Sequence, residues 1–234
     1  MSVILSFIFL ILCISGWWLA RHHLLSKPWL EHGVPASAAK GAAPVNRIAK
    51  VGLGVFLAVI GALFALLASA YFERMGLPDW RDFPLPRLLW VNTGMLVACS
   101  AALHCALIDA RNGALKPARS GLVIASLAGM AFVFGQLAVW LQLVSVGLGV
   151  AANPAVTFFY LLTGLHGLHI LGGLIALAFA VSSAFHSTDL RPLIPRLELC
   201  TIYWHFLLVI WLAILVVIAG WAEEIVVTCS QLFS

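Results

Sequence analysis

Apolar residues in this chain come in long unbroken runs separated by short polar breaks, and the length of the runs sets the architecture. Six runs reach or approach the ~20 residues that an α-helix needs to cross a bilayer core. They are Val3–Ala20, Ile48–Phe72, Leu88–Ile108, Gly121–Val146, Pro154–Phe185 and Leu199–Trp221. In lipid the backbone must satisfy its own hydrogen bonds, and uncharged runs of this length favour helices over the alternating strands of a barrel. At about 1.5 Å per residue the fifth run exceeds the thickness of the bilayer core, so it is predicted to tilt or project. The stretch Ser26–Asn46 is rich in Ala, Gly and Pro and has no apolar period, which reads as a linker. No internal repeat is visible. The expected fold is all-α: a polytopic membrane protein of six transmembrane helices. An N-terminal helix (residues 1–25) is followed by a cytoplasmic linker (26–47), a five-helix membrane domain (48–222) and a short tail (223–234). The first run resembles a signal peptide in length only. Its positive charges, Arg21 and Lys27, follow the apolar stretch, and no small-x-small cleavage site is evident, so it reads as a retained helix.

Composition agrees with the pattern. The chain is 63% hydrophobic and only 9% charged, with a mean hydropathy of +1.06, whereas soluble domains carry about 25% charged residues. A water-soluble globule is excluded. The net charge of +4 is scattered, and no basic block interleaved with aromatics points to nucleic acid. The basic residues instead report topology. Ten of the thirteen (Arg21, Lys27, Lys40, Arg47, Lys50, Arg111, Lys116, Arg119, Arg191 and Arg196) fall in loops on one side, which the positive-inside rule makes cytoplasmic. Both termini then face outward, with Glu223 and Glu224 outside. The five cysteines, Cys13, Cys99, Cys105, Cys200 and Cys229, have no CxxC spacing and read as buried small side chains rather than a disulfide framework or a zinc site.

Polar groups inside apolar runs carry the candidate chemistry. The stretch Thr157–Gly173 holds His166 and His169, three residues apart and so on one helical face, with Gly164, Gly167, Gly172 and Gly173 nearby to admit a close neighbour. Ionisable groups within a span point into protein, so this face is expected to be a helix–helix interface, its histidines hydrogen-bonded to backbone or to neighbouring side chains. In the last run His205 lies seven residues after Glu198, two turns along the same face. Glu198 is expected to pair with Arg191 or Arg196; a proton-transfer role is the sharper alternative. Two histidines need a further ligand to hold a metal. His205 is placed to supply it, or to form a bis-histidine haem pair with His166 or His169. His104 suits the membrane interface or helix packing, and Asn92 and Gln136 suit interhelical hydrogen bonds of about 1 kcal/mol. His22, His23 and His32, in or beside the linker, are a weak hint of metal binding.

Three blocks resemble subunit III of the haem-copper (cytochrome c type) terminal oxidases, in that family's order. They are Leu89–Trp90–Val91–Asn92–Thr93 followed by Cys99–Ser100; FFYLLTGLHGLHILGG at Phe158–Gly173; and Glu198, four residues, then Tyr203–Trp204–His205–Phe206, with Trp211 after it. Gln136 also fits, and the likeness spans about residues 50–222. The resemblance implies a non-catalytic subunit of the bacterial inner membrane that binds no haem or copper itself. Those cofactors belong to its partners, the catalytic subunit I and subunit II. It further implies that this chain holds phospholipid, sustains proton uptake and protects the oxidase during turnover, with His166, His169, Glu198, Tyr203, Trp204 and His205 in helix-packing or lipid-facing roles. Some positions depart from the family's pattern. Leu53–Tyr71 has no carboxylate, and Val139 and Leu208 stand where the family often has Glu and Asp. One helix, not two, precedes the five-helix block. Three rival readings remain: an accessory protein of a nitric oxide reductase, a b-type cytochrome with haem between His205 and His166 or His169, and a small-solute transporter, for which neither paired broken helices nor a charged pathway is evident.

Overall fold

A backbone amide inside lipid has to find its partner within its own helix, and the regular structure of the described residues is helical throughout, with no strand. The computed structural model describes residues 43–187, 189 and 191–220, with side chains from Ile48 onward. The chain divides into Met1–Ile48 and Ala49–Ser234. The predicted helix Val3–Ala20, most of the linker and the C-terminal tail lie outside the described residues. Five helices follow one another: α1 (Ala43–Met75), α2 (Leu88–Arg111), α3 (Leu115–Ser145), α4 (Pro154–His186) and α5 (Ile194–Ile218), the last entered through a 3-10 turn at Arg191–Leu193. All five are long and apolar enough to cross a membrane. They match the second to sixth runs, with several ends displaced, among them the start of α5, which lies at Ile194 ahead of Leu199. Helix α1 is already helical at Ala43, inside the stretch read as linker, and α3 starts at Leu115, ahead of Gly121.

The early start of α3 has a physical reason. It brings Arg119 to the far end of α4, where its guanidinium donates to two carbonyls: Nε to Ala184 O at 3.0 Å and Nη2 to Ser187 O at 2.8 Å. The last carbonyls of a helix have no intrahelical partner, and a cation there also meets the negative end of the dipole. The other end of α4 is capped from sequence, with Asn153 accepting from Val156 N at 3.1 Å and Pro154 in the first turn. Helices α2 and α3 each end with a glycine of positive φ, Gly113 at 76° and Gly147 at 81°. The next residue's N–H then reaches back to close a Schellman turn, Ala114 N to Asp109 O and Leu148 N to Leu143 O, both at 2.9 Å.

Small side chains set the helix spacing. Ala106, Ala118 and Ala125 are fully buried, and a Cβ on Gly121 would lie 2.9 Å from that of Ala106, so α2 and α3 run very close. Helices α2 to α5 share one core that includes Leu96, Phe132, Phe159, Ile170, Trp204 and Trp211. Helix α1 joins by longer side chains: Ile60, Phe64 and Tyr71 meet Leu162 of α4 and Ile214 of α5. From the last turn of α1 Arg74 grips Asp79 of the following loop with both guanidinium nitrogens, one at 2.8 Å. That hydrogen bonding holds the Asp79 carboxyl below its ordinary value of 3.8, against a smaller opposing effect of burial.

Two outcomes follow. Gly173 leaves room for Tyr203 and Trp204, because a Cβ there would come within 2.9 Å of the Tyr203 ring, whereas a Cβ on Gly167 meets nothing within 4 Å. Gly173→Ala is therefore expected to destabilise the bundle by about 1–3 kcal/mol. Gly167→Ala is expected to be neutral or to stabilise by up to about 1 kcal/mol, both read as thermal unfolding in detergent micelles. For Asp79, a pKa lowered by folding means that its contribution is present above the unfolded value and lost as pH falls through the lower folded value. Titration of the Asp79 carboxyl by NMR is expected below 3.8 and to return to the ordinary range in Arg74→Ala.

Candidate functional site

Rings from three helices converge on one imidazole. His166 of α4 is completely buried. Phe132 of α3 stands nearly perpendicular to it at 5.8 Å between centroids, Trp211 of α5 lies tilted at 5.1 Å, and Phe64 of α1 meets it edge-on at 6.3 Å. Neither ring nitrogen has a hydrogen-bond partner among the described residues. The expectation of a hydrogen-bonded histidine is therefore corrected for His166: the neighbours named here are aromatic rings, which offer its nitrogens no conventional acceptor or donor. His169, half-buried, does follow the expectation. Its Nδ1 donates to the Leu165 carbonyl one turn back at 2.8 Å, and its ring sits 5.8 Å from Phe64. Tyr203 of α5 donates its hydroxyl to the His169 carbonyl at 2.9 Å, and Trp204 is fully buried beside Gly129 and Gly173. His166, His169, Tyr203 and Trp204 thus form one packing centre that ties α4 and α5 together and holds α1 through Phe64.

Glu198 and His205 belong elsewhere, on the seam between α5 and α2. These helices run antiparallel and meet through polar groups about seven residues apart on each. Trp211 Nε1 donates to Thr93 Oγ at 3.0 Å. Below it Ser100 Oγ hydrogen-bonds His205 Nδ1, and His205 Nε2 lies 3.4 Å from His104 Nδ1. Lowest comes Glu198, with Lys50 Nζ at 2.8 Å and Arg111 Nη2 at 3.5 Å. The partners expected for Glu198, Arg191 and Arg196, are replaced. Arg196, two residues back, projects from the opposite side of α5, and Arg191 stands before the helix begins. Lys50 arrives instead from two turns inside α1 and Arg111 from the end of α2, and being exposed they stabilise by at most about 1 kcal/mol. On α3, Gln136 accepts from Asn92 Nδ2 of α2 at 3.4 Å, the interhelical bond expected of that residue type. The sequence reading missed Thr93, Ser100, Phe64 and Phe132 as members of these clusters. Thr93 and Ser100 carried a signal in their seven-residue spacing, which repeats that of Glu198 and His205.

No contact joins His205 to His166 or His169 among the described residues, and no group of three or more His, Cys, Asp or Glu there is placed to hold a metal ion. A groove of about 570 Å³ opens between α1, α4 and α5. Leu53, Phe56, Phe179 and Tyr203 line it, and Arg196 stands at the end shared with Glu198.

The ring cluster yields a graded prediction. His166→Ala empties a packed box and is expected to lower stability by about 2–5 kcal/mol. His166→Leu, close in volume and without the unpartnered nitrogens, is expected to lose less than about 1.5 kcal/mol or to gain. Chemical denaturation of both variants in one detergent checks the order.

Comparison with known proteins bears on what these clusters serve. The sequence profile of the family described as cytochrome c oxidase subunit III matches residues 29–223. The chain is 32% identical over 171 residues to the probable cytochrome c oxidase subunit 3 of Mycobacterium tuberculosis, covering 72% of this chain and 83% of that one. It is 27% identical over 161 residues to the cytochrome bo(3) ubiquinol oxidase subunit 3 of Pseudomonas aeruginosa (68% and 77%). It is also 28% identical over 173 residues to the cytochrome c oxidase subunit 3 of Synechocystis (71% and 73%). With a profile match across most of its length, and with the TGLHGLH and YWHF stretches forming the packing centre and the seam, this chain belongs to the cytochrome c oxidase subunit III family.

Proposed function

We propose that this chain serves as the non-catalytic subunit III of a respiratory haem-copper terminal oxidase in a bacterial inner membrane, crossing six times with both termini outside. The complex reduces oxygen to water with electrons from cytochrome c or quinol and couples this to proton pumping. Subunits I and II carry its haem and copper. This chain contributes packing, bound phospholipid and endurance during turnover. The observation that carries the reading is the environment of the histidines. His166 is walled in by rings, and His205 is engaged by Ser100 and His104 on another face. That arrangement supports helix packing over a bis-histidine haem site. The meeting of Lys50, Arg111 and Glu198 supports the proposed topology, since it gathers residues near the basic stretches of three helices at one end of the bundle. The apolar groove with Arg196 at its rim suits an acyl chain whose phosphate faces the guanidinium.

Purification of the tagged chain from its native membrane in mild detergent tests this. The expected result is co-purification of a larger haem-bearing subunit and of phospholipid. His205→Ala is expected to weaken that association or shorten turnover lifetime while the haem spectrum of the complex is unchanged. Iron or copper bound stoichiometrically to the isolated chain, or its purification with no oxidase subunit, would overturn the reading.

A further inference from the structure

The exposed faces of the bundle differ in one respect that matters in lipid. Those of α1 (Val55, Val59, Leu66), α3 (Leu127, Phe134, Leu141) and α4 (Leu168, Ile175, Phe179) present large apolar side chains. The outer seam of α2 and α5 presents Val97, Ile108, Ile202, Val209 and Leu212, and among them an imidazole pair. His104 is exposed, and His205 is half-buried beside it. His104 lies seven residues from Arg111, and His205 seven from Glu198. At a rise of ~1.5 Å per residue this sets the pair on the order of 10 Å inward from the ion pairs at the helix ends. The pair shares one hydrogen bond, between His205 Nε2 and His104 Nδ1 at 3.4 Å, and Ser100 takes the other His205 nitrogen. His104 Nε2 is left with no partner among the described residues. Whichever imidazole donates in the shared bond, this nitrogen remains a polar atom on the outside of the bundle at a depth where acyl chains offer nothing to it. Intramembrane ionisable groups face protein or water for this reason. On a helix of 3.6 residues per turn Val97, Ala101, His104 and Ile108 of α2 share one face, as do Ile202, His205, Val209 and Leu212 of α5, so the two faces form a continuous strip.

We propose that this strip is the surface on which a membrane-spanning helix of another oxidase subunit docks, presenting a hydrogen-bonding side chain, a carboxylate or amide, to His104 Nε2. The inference rests on the reading of the chain as one subunit of an oxidase complex and adds to it the face of contact and the chemistry of recognition. Ala101, beside His104 on the same strip, admits a close backbone approach, and the flanking Val and Leu side chains supply the apolar packing. The faces of α3 and α4 that present Leu127, Phe134, Leu168 and Ile175 remain in contact with lipid.

Photo-crosslinking in native membranes tests the assignment. A benzophenone amino acid is placed singly at Val97, Ile202 or Val209 on the strip, and at Phe134 or Leu168 away from it. Adducts to another oxidase subunit from the strip positions, and none from Phe134 or Leu168, are expected. Adducts to an oxidase subunit from Phe134 or Leu168 alone overturn the proposal, as do strip positions that capture only lipid or this chain's own N-terminal segment, even while the complex co-purifies. Loss of every oxidase subunit from the unsubstituted preparation would instead remove the underlying reading, and the inference with it. A second measurement uses His104→Leu and His104→Gln, checked for unchanged helical content. The leucine variant is expected to retain roughly tenfold less partner subunit in detergent and the glutamine variant to restore it; equal retention by both sinks the proposal.

Discussion

A polar atom placed inside hydrocarbon must be answered by another atom of the protein, and the arrangement of α2 against α5 is organised around that requirement. Thr93 answers Trp211, Ser100 and His104 answer His205, and Arg111 with Lys50 answers Glu198. Because the two helices are antiparallel, groups spaced about seven residues apart on each meet in reverse order. The contacts differ in strength: the ion pairs are exposed and weak, while the bond from the Trp211 indole starts from a fully buried ring.

Association between helices in lipid lacks a strong hydrophobic drive, so close packing has to supply much of it. Here it takes two forms. Between α2 and α3 it is the contact of alanines and glycine at backbone range. Around His166 it is a box of rings from three helices, in which each aromatic side chain buries a large surface and the perpendicular contacts are of the favourable kind. Helix α1 depends on the second form, since Phe64, Ile60 and Tyr71 carry its attachment. An imidazole at the centre of such a box has a shape and a quadrupole that rings accept, and its two nitrogens keep it from competing as a purely apolar filler would.

The helices were readable from the chain because a lipid solvent imposes a length and a composition at once, and every described span coincides with an apolar run. Their ends were less readable. Helix α3 extends through Lys116 and Arg119 because Arg119 finds the carbonyls of Ala184 and Ser187, a tertiary contact without local trace. The shared face of His166 and His169 followed from their spacing, and so did the alignment of Glu198 with His205. What each would touch did not. The partners of Glu198 come from α1 and α2, whereas sequence proximity pointed to Arg191 and Arg196. Ser100 and Thr93 looked like ordinary helix-tolerant hydroxyls until the antiparallel register placed them opposite His205 and Trp211. Local pattern specifies which face of a helix is polar; the axial offset between helices decides which polar groups meet.

That offset has a mechanical corollary. Sliding α5 along α2 by one turn, ~5.4 Å, would part Trp211 from Thr93, His205 from Ser100 and Glu198 from Arg111 in a single step. Where the surrounding bilayer thickens or thins, this pair cannot adjust by telescoping, so it has to lean as one rigid piling, and any neighbour fastened to it must lean along.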